Sequence, residues 1–413
     1  MKVTFCTYDG YNCINGINAW LLRLLPELRF RGIDIQIIFI TWADPDMCTT
    51  LPILKQMGFN CLEIPLPHYT ERQVIWILKE LAKNPPDIFV ANYMVPALYA
   101  SRWLRESGIS TIGVLHNDDN EYRAILDEFV FGENPFKLSS VVAVSEVLKK
   151  LVAQRKPNKT LLTKIPCGAP VPKGVVEKSG VGLKLVYVGR LSEEQKCISE
   201  TTKALCRAVK EVPNTEAFIY GSGPAQSSVE LIIKEEGSDL PIHLMGRVDS
   251  QKIQEHLLKC HVIVLLSDYE GLPVALMEAM ACGLVPVCLR IESGIPELVI
   301  HNETGLLVDD RGDSFIAAIQ KLHREPELWY KLSRGARAKI ESEYSHQTCV
   351  DLWENHLKNL HAKNILNKKI TIPYKLTLPQ VNINLSYSDN REPKIHQKIY
   401  RKIKTIIGKI TKF

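Results

Sequence analysis

The sequence lacks several features that would place it in other protein classes. No apolar run reaches about 18 residues, so we expect no segment to cross a membrane as a helix. The first residues enter a strand-like segment without the apolar stretch and small-residue cleavage site of a signal peptide. The eleven cysteines form no C-x-x-C pair and no group with zinc-ligand spacing. These absences favour a cytoplasmic protein with reduced, mostly buried cysteines, no metal and no cofactor.

Acidic residues are scarce only at the end of the chain. Residues 361–413 contain 12 Lys and Arg and 2 Asp and Glu, a net charge of +10, whereas residues 1–360 contain 39 and 44, a net charge of −5. This acidic body gives no reason to expect a nucleic acid partner. Alternating apolar positions at 370–385 predict a small hairpin, and 394–413 has the pattern of a basic amphipathic helix. Such a helix could lie on an anionic membrane surface; a disordered tail and a helix packed on the acidic body are the alternatives.

Short strand-like runs alternate with longer helical patterns in two separate stretches of the chain. This alternation predicts an α/β protein with two doubly wound domains, at 1–170 and 183–343. The Pro- and Gly-rich segment between them predicts a linker at 171–182. We expect a C-terminal helix at 344–360 to return to the first domain. Ligands of open parallel sheets bind at the carboxyl ends of the strands, so a cleft between the domains is the expected site.

The densest chemical signal is a predicted strand, loop and helix at 266–283. Glu270 lies in the loop, and Glu278 lies inside the helix that starts near Pro273. Free N–H groups at the start of a helix attract an anion such as a diphosphate, and the two carboxylates can accept hydrogen bonds from hydroxyl groups. The alternative interpretation is a capping residue and a solvated one. A carboxylate among apolar helix residues is costly, which counts against that alternative for Glu278.

Four weaker signals also follow predicted strands. Arg190 and Lys196 could bind a phosphate and stabilise it as a leaving group, although exposed loop cations are more often solvated. Gly221 lies in a Gly-Ser-Gly-Pro loop that could admit a ligand or be only a turn. Gly16 opens the first helix and could face donor phosphates. His116 ends a strand and could face the cleft or be structural.

Taken in order, these segments resemble the family 4 retaining glycosyltransferases, which have the GT-B fold of two facing Rossmann-like domains. The Glu-x7-Glu motif matches Glu270 and Glu278, and the Gly-Arg-Leu…Lys segment matches Gly189 to Lys196. Further matches are the Ala-Met-Ala-x-Gly at 279–283, the Gly-x-Pro-Glu at 294–297 and the Gly-Arg-Val at 246–248. The resemblance covers roughly 1–360 and is strongest from 184 to 310.

The resemblance implies a role for each matching residue. Glu270 would hold hydroxyls of the transferred sugar and Glu278 those of the ribose, while Arg190 and Lys196 would stabilise the leaving diphosphate. His116 would line the sugar site and help to stabilise charge at the anomeric centre. The remaining residues would line the donor site: Gly16, Gly189, Gly221, Arg247, Val248, Gly271, Leu272 and Val274.

The resemblance also implies a function and its limits. A hexose-type sugar would pass from a nucleotide-diphosphate sugar to a sugar or lipid-linked acceptor, without a metal, in surface polysaccharide or glycolipid synthesis. The chain departs from the family pattern at Asn15, Cys197, Leu272 and Pro273, which loosens any inference about the donor sugar. The rival interpretation is a nucleotide-sugar-binding or epimerase-like protein of the same fold that lacks transfer to an acceptor.

Overall fold

The architecture is described from a computed structural model of the chain. The structure describes all residues except 12–15, 65–68, 93, 133–134, 158–159, 179, 181, 250–251, 364–368, 386–388 and 394–413. The amphipathic pattern at 394–413, and Asn15 beside Gly16, therefore lie outside the described residues. Within the described part, no helix is both long and apolar enough to span a bilayer.

The first domain is built on a parallel sheet of seven strands in the order β3-β2-β1-β4-β5-β6-β7. Its inner strands are buried on both faces, as expected for a parallel sheet that helices cover on two sides. The strands are β1 Lys2–Asp9, β2 Asp34–Thr41, β3 Asn60–Glu63, β4 Ile88–Ala91, β5 Ser110–Leu115, β6 Ser140–Ala143 and β7 Leu161–Lys164. The helices are α1 Gly16–Phe30, α2 Thr50–Gln56, α3 Thr70–Lys83, α4 Val95–Glu106, α5 Asn120–Leu126 and α6 Glu146–Gln154.

The second domain repeats this plan with six parallel strands in the order β10-β9-β8-β11-β12-β13. The strands are β8 Leu183–Val188, β9 Thr215–Tyr220, β10 Ile242–Gly246, β11 Val262–Leu265, β12 Val285–Leu289 and β13 Leu306–Val308. The helices are α7 Ile198–Glu211, α8 Gln226–Glu236, α9 Ile253–Leu257, α10 Val274–Ala281, α11 Ile295–Leu298, α12 Asp313–Arg324 and α13 Pro326–Lys339. The two facing α/β domains of the predicted fold class are thus confirmed.

The final helix, α14 (His346–His361), packs on the first domain although it follows the second in sequence. Trp353 of this helix is fully buried, and its ring centroid lies 5.6 Å from that of Trp20 on α1. Arg31 at the end of α1 binds Glu354 at 2.6 Å. The chain therefore crosses between the domains twice, once through the linker and once before α14.

The described residues 369–385 and 389–393 contact helices α3 and α4 of the first domain. The Lys369 carbonyl accepts a hydrogen bond from Ser107 Oγ at 3.0 Å, and the Asn390 carbonyl accepts one from the Thr70 amide at 2.7 Å. Leu385 and Asp389 are buried. The predicted hairpin at 370–385 is wrong, because these residues form extended chain and one 3-10 turn, Ile383–Leu385. The segment buries its few apolar anchors against the domain instead of pairing with itself.

Other differences from the predicted elements are local. The sequence pattern at 250–259 predicts a helix, whereas the structure has a shorter one at Ile253–Leu257, and residues 250–251 lie outside the described residues. Strands β7 and β13 and helices α2, α5 and α11 were not predicted. All five are short, so tertiary contacts decide them more than any periodic pattern does.

The chain that enters the linker is fixed to α14 by a glycine, Gly168, that cannot carry a side chain. Gly168 has φ +71°, and a Cβ atom there would lie 2.7 Å from Cys349 Cβ and 3.0 Å from the Ser345 carbonyl oxygen. The adjacent Ala169 amide donates to the Tyr344 carbonyl at 2.9 Å, and its carbonyl accepts from the His346 amide at 2.8 Å. The two crossings of the chain are therefore held together in backbone contact.

This contact predicts that Gly168→Ala destabilises the protein more than a glycine change of the same backbone strain. Gly32 is the matched control, since it has φ +82° and nothing within 4 Å of an added Cβ atom. We expect Gly32→Ala to cost about 1 kcal/mol from the positive φ. Gly168→Ala should cost about 1 to 3 kcal/mol more, because the methyl group also overlaps its neighbours. Equal thermal midpoints for the two variants would contradict this account.

Candidate functional site

The candidate site lies where the strand order of the second sheet reverses. Strands β8 and β11 are neighbours there, with β9 on one side and β12 on the other. The loops that leave these two strands, 189–197 and 266–273, therefore share the carboxyl edge of the sheet, where open α/β sheets bind ligands. Both loops carry the charged residues that the sequence predicts for the site.

Hydrogen bonds join these two loops into one unit. The Asp268 amide donates to the Gln195 carbonyl at 3.0 Å, and Gln195 Nε2 donates to the Tyr269 carbonyl at 2.9 Å. Cys197 Sγ donates to Asp268 Oδ2 at 3.0 Å, and Arg311 binds the same carboxylate. Cys197 adopts φ +45°, a conformation that favours glycine, so this sulfur contact accompanies a strained backbone.

Glu270 and Lys196, one from each loop, form a buried ion pair. The side chains are 6% and 16% exposed, and Lys196 Nζ binds Glu270 Oε1 directly. The other carboxylate oxygen lies 3.4 Å from Gln195 Nε2. The sequence predicts separate ligands for these two groups, a sugar and a diphosphate. In the structure they are partners, so any ligand that uses both must take over this contact.

The loop that carries Glu270 also touches the first domain through its backbone. A Cβ atom at Gly271 would collide with the His116 carbonyl oxygen, and one at Gly294 would collide with the Gly271 carbonyl oxygen. Three backbone segments from two domains are thus packed without intervening side chains. Glu270 lies beside this contact, at the boundary between the domains.

Glu278 is bound by a residue that the sequence analysis did not identify. Arg23 of α1 forms an ion pair with Glu278 of α10 across the domain boundary, and their side chains are 17% and 7% exposed. Burial raises the pKa of Glu278, while the Arg23 guanidinium opposes that rise. Arg23 is the lone charge in the run Leu21-Leu22-Arg23-Leu24-Leu25, and a cation there signals a buried partner.

A second unpredicted interdomain contact involves Glu297, which sequence analysis identified only as part of a matching motif. Its Oε1 accepts hydrogen bonds from the amides of Glu146, at 2.6 Å, and Val147, at 3.1 Å. These amides open helix α6 of the first domain, where a carboxylate is stabilised by the helix dipole. Lys164 Nζ lies 3.3 Å from the other oxygen. The start of α6 is therefore occupied by a side chain of the second domain.

His116 ends β5 and lies against the same boundary. Its Nε2 is 2.8 Å from Asn92 Oδ1, and Asn92 Nδ2 in turn donates to Thr7 Oγ1 at 3.3 Å. This orientation of the amide makes Nε2 the protonated nitrogen of a neutral ring. Burial lowers the pKa of His116 to about 3. The ring is therefore uncharged at pH 7 and cannot act there as a cation.

Arg190 is exposed on a firmly held peptide. Tyr187 Oη donates to the Arg190 carbonyl at 2.9 Å, and a Cβ atom at Gly221 would collide with the Gly189 carbonyl oxygen. Gly221 has φ +149°. The lack of a side chain at Gly221 thus allows its loop to approach the Gly189 carbonyl closely. This packing fixes the position from which the Arg190 side chain projects.

The other predicted donor-site residues fall into two groups. Gly16 opens α1 beside α10, where a Cβ atom would lie 3.3 Å from Val274 Cγ2. Leu272 is buried in the same loop as Glu270. Arg247 and Val248 follow β10, the edge strand of the sheet, and lie two strands from β8. Gly16, Leu272 and Val274 thus adjoin the interdomain boundary, and Arg247 and Val248 lie towards the outer end of the strand edge.

The start of α10 completes the site. Pro273 occupies the cap position, and among the described residues its side chain gives the helix no capping hydrogen bond. An uncapped helix start presents N–H donors and a partial positive charge, which suits a phosphate group. Across the residues that the structure describes, no three His, Cys, Asp or Glu side chains are grouped as metal ligands.

The buried position of the Arg23–Glu278 pair predicts strong energetic coupling. Arg23→Met leaves a buried carboxylate without its cation and should cost about 2 kcal/mol or more, and the double variant with Glu278→Gln should recover part of that loss. The control is the exposed Arg102–Glu106 pair on α4. Its coupling should be about 0.5 kcal/mol or less. Double-mutant cycles from chemical unfolding measure both couplings; additive effects of Arg23→Met and Glu278→Gln would refute the interdomain pair.

The second domain carries the sequence pattern of a known protein family. Residues 175–339 match the family described as glycosyl transferases group 1. The chain is 28% identical over 292 residues to the amylovoran biosynthesis glycosyltransferase AmsK of Erwinia amylovora, covering 63% of this chain and 67% of the relative. It is also 28% identical over 283 residues to the putative colanic acid biosynthesis glycosyltransferase WcaL of Escherichia coli, covering 63% and 68%.

Solved structures share the arrangement of the two domains. HepE of Anabaena, in its complex with UDP, superposes with a TM-score of 0.68 at 17% identity, over 87% of this chain and 100% of that one. The lipopolysaccharide outer core galactosyltransferase WaaB superposes with a TM-score of 0.65 at 15% identity, over 87% and 99%. The chain therefore has the GT-B fold, and its second domain is similar to the group 1 glycosyltransferases over residues 175–339.

Proposed function

We propose that the protein transfers a hexose from a nucleotide-diphosphate sugar to an acceptor, with retention of anomeric configuration and without a metal. The observation that carries this proposal is the buried Glu270–Lys196 pair at the switch point of the second sheet, beside the uncapped start of α10. A carboxylate, an ammonium group and free amides in one place can bind a sugar hydroxyl and a phosphate together.

The donor would bind by exchanging contacts that the protein makes with itself. Lys196 would release Glu270 for a phosphate oxygen, and Glu270 would accept sugar hydroxyls in its place. Arg190, exposed on its fixed peptide, would bind the diphosphate with two donors. Glu278 would accept ribose hydroxyls only after parting from Arg23, so donor binding would be linked to movement at the domain boundary.

Charge separation is the main chemical difficulty of the reaction. The bond between the anomeric carbon and the diphosphate oxygen breaks while the acceptor oxygen bonds to that carbon, and the acceptor's hydroxyl proton would pass to the leaving phosphate oxygen. Negative charge grows on the phosphates as the bond breaks. Arg190, Lys196 and the α10 amides would stabilise that charge. Positive charge also grows at the anomeric carbon. Because the His116 ring is neutral, it would stabilise that charge through its dipole and would not repel it as a cation would. A leaving group held in this way needs no metal ion.

Related proteins suggest which substrates to test first. HepE has been crystallised with UDP-glucose, and TarM of Staphylococcus aureus with UDP. AmsK and WcaL are assigned by name to amylovoran and colanic acid biosynthesis. We therefore infer a UDP-hexose donor, and as acceptor a saccharide, free or lipid-linked, in surface polysaccharide or glycolipid synthesis. The comparisons support no binding-only or epimerase-like role, and an assay of transfer separates these alternatives.

The proposal predicts the effect of removing the Glu270 carboxylate. Wild-type protein should transfer hexose from at least one member of a UDP-, GDP- and ADP-hexose panel in excess EDTA, and proton NMR of the anomeric signal should show retained configuration. Glu270→Ala should lower kcat/KM by about 10²-fold or more, because a contact to the reacting sugar is lost. Glu194→Ala, in the neighbouring loop and exposed, should have no such effect. Full activity of Glu270→Ala, or inversion, would overturn the proposal.

We also propose that the C-terminal segment holds the protein on the inner face of the cytoplasmic membrane. The segment 369–393 is fixed to the first domain, yet it exposes Tyr374 fully and Ile383 by 82%. Residues 394–413 follow it with seven Lys and Arg and no acidic residue. Apolar side chains and clustered cations on one segment suit an anionic lipid surface, where each cation contributes about 1 kcal/mol.

Cosedimentation with phosphatidylglycerol vesicles tests this membrane proposal. We expect the full chain to sediment at low salt and a chain ending at Pro393 to remain in the supernatant, because its basic residues are gone. Replacing the seven cations by glutamine in the full chain should give the same loss. The paired variant Tyr374→Ser and Ile383→Ser should weaken binding at high salt, where charge is screened. Unchanged sedimentation of both charge variants would contradict the proposal.

A further inference from the structure

The first domain exposes large aromatic side chains at the carboxyl edge of its sheet. Tyr11, just after β1, is 64% exposed, and Trp42, just after β2, is 61% exposed. Met47, in the loop after Trp42, is 56% exposed. The Tyr8 ring packs against Trp42 at 5.1 Å between centroids. We call Tyr8, Tyr11, Trp42 and Met47 the aromatic platform.

Backbone contacts hold the platform in a fixed shape. The Trp42 amide donates to the Asp9 carbonyl at 3.1 Å, and Tyr11 forms an antiparallel bridge with Cys48. The buried Asp9 carboxylate accepts hydrogen bonds from the Thr50 and Leu51 amides, at 2.6 and 2.7 Å, which fixes the end of the loop. The backbone that carries the aromatic rings is thus held by hydrogen bonds, so it loses little conformational freedom when a ligand binds.

The platform lies near the donor site. It follows β1 and β2, and the switch point of the first sheet falls between β1 and β4. Five residues after Tyr11, Gly16 contacts Val274 at the start of α10. Five residues of extended chain span at most about 18 Å, which bounds the distance from Tyr11 to that contact. Tyr11 therefore lies within about 18 Å of the Gly16–Val274 contact, on the domain that faces the donor site.

The chemistry of the loop selects a saccharide as ligand. The C–H groups on one face of a pyranose ring pack on the negative face of an aromatic ring, and that face of the sugar is itself apolar. The exposed carboxylates of Asp44 and Asp46 lie between Trp42 and Met47 in sequence and can accept hydrogen bonds from sugar hydroxyls. The loop 42–49 contains no Lys or Arg. Two acidic residues among the rings disfavour both a lipid chain and an anionic ligand.

We propose that the aromatic platform is the binding subsite for the acceptor saccharide, with Trp42 and Tyr11 stacking on a pyranose ring and Asp44 or Asp46 accepting hydrogen bonds from its hydroxyls. This inference rests on the proposed transferase function and adds the residues that would bind the acceptor. The subsite is separate from Glu270, Lys196 and Arg190. Its loss should therefore weaken acceptor binding and leave donor binding intact.

Saturation-transfer NMR tests the subsite without knowledge of the natural acceptor. The probes are methyl glycosides of glucose, galactose, mannose and N-acetylglucosamine, with irradiation of the aromatic protons. We expect transfer to at least one glycoside, strongest at the ring protons of one face. Trp42→Ala should weaken binding about tenfold or more, and Trp42→Phe should keep most of it. Phe30→Ala is the matched control, since Phe30 is 88% exposed at the far end of α1.

The outcomes separate this inference from the proposed function. Hydrolysis of the UDP-hexose in the absence of acceptor should be equal in wild type and Trp42→Ala, since that reaction needs only the donor site. Absence of saturation transfer to every glycoside, or equal transfer in Trp42→Ala, overturns the subsite even if the enzyme transfers hexose. Loss of vesicle binding by Trp42→Ala with unchanged glycoside binding would instead assign the platform to a membrane and also overturns it. Inactivity towards every nucleotide sugar is the failure of the proposed function.

Discussion

The close backbone contact between His116, Gly271 and Gly294 sets the geometry of the whole site. Side chains at either glycine would force the segments apart, because each Cβ atom would overlap a carbonyl oxygen. Only with both glycines does the loop of the second domain reach the strand end of the first. Glu270 then stands at the boundary between the domains. The ion pair of Glu278 with Arg23 and the hydrogen bonds of Glu297 to the start of α6 join the same two domains.

The charged groups of the site are satisfied by one another. Lys196 binds Glu270, Arg23 binds Glu278, and Glu297 caps α6. A buried charge without a partner costs several kcal/mol, so these pairs allow the closed arrangement of the domains to exist. Because these pairs must be broken first, the free energy of donor binding would be the difference between the donor's contacts and the contacts that it replaces. If the proposed donor site is correct, affinity for the donor would depend on the free energy of breaking the Arg23–Glu278 pair.

Much of this arrangement could be predicted from the sequence, and the features that could not be predicted have physical reasons. The long periodic elements, the two domains and the loop positions of Glu270 and Lys196 follow from local pattern and from the ends of strands. The partner of Glu278 does not, because Arg23 is 255 positions away in sequence and on another domain. The predicted hairpin at 370–385 had the correct alternation for a strand. Its apolar residues are instead divided between anchors such as Leu385 and exposed positions such as Ile383.

Glycine motifs show the same limit in another way. From sequence, Gly221 could admit a ligand or be only a turn, and in the structure its lack of a side chain brings its loop against the Gly189 carbonyl. Cys197 shows the reverse case, since it adopts φ +45° where the family pattern has glycine. Its sulfur donates to Asp268, whose carboxylate also binds Arg311. A glycine would relieve the backbone but would lose this contact between the two site loops. The backbone strain at Cys197 is therefore offset by the hydrogen bond of its side chain to Asp268, which joins the loop of Lys196 to the loop of Glu270.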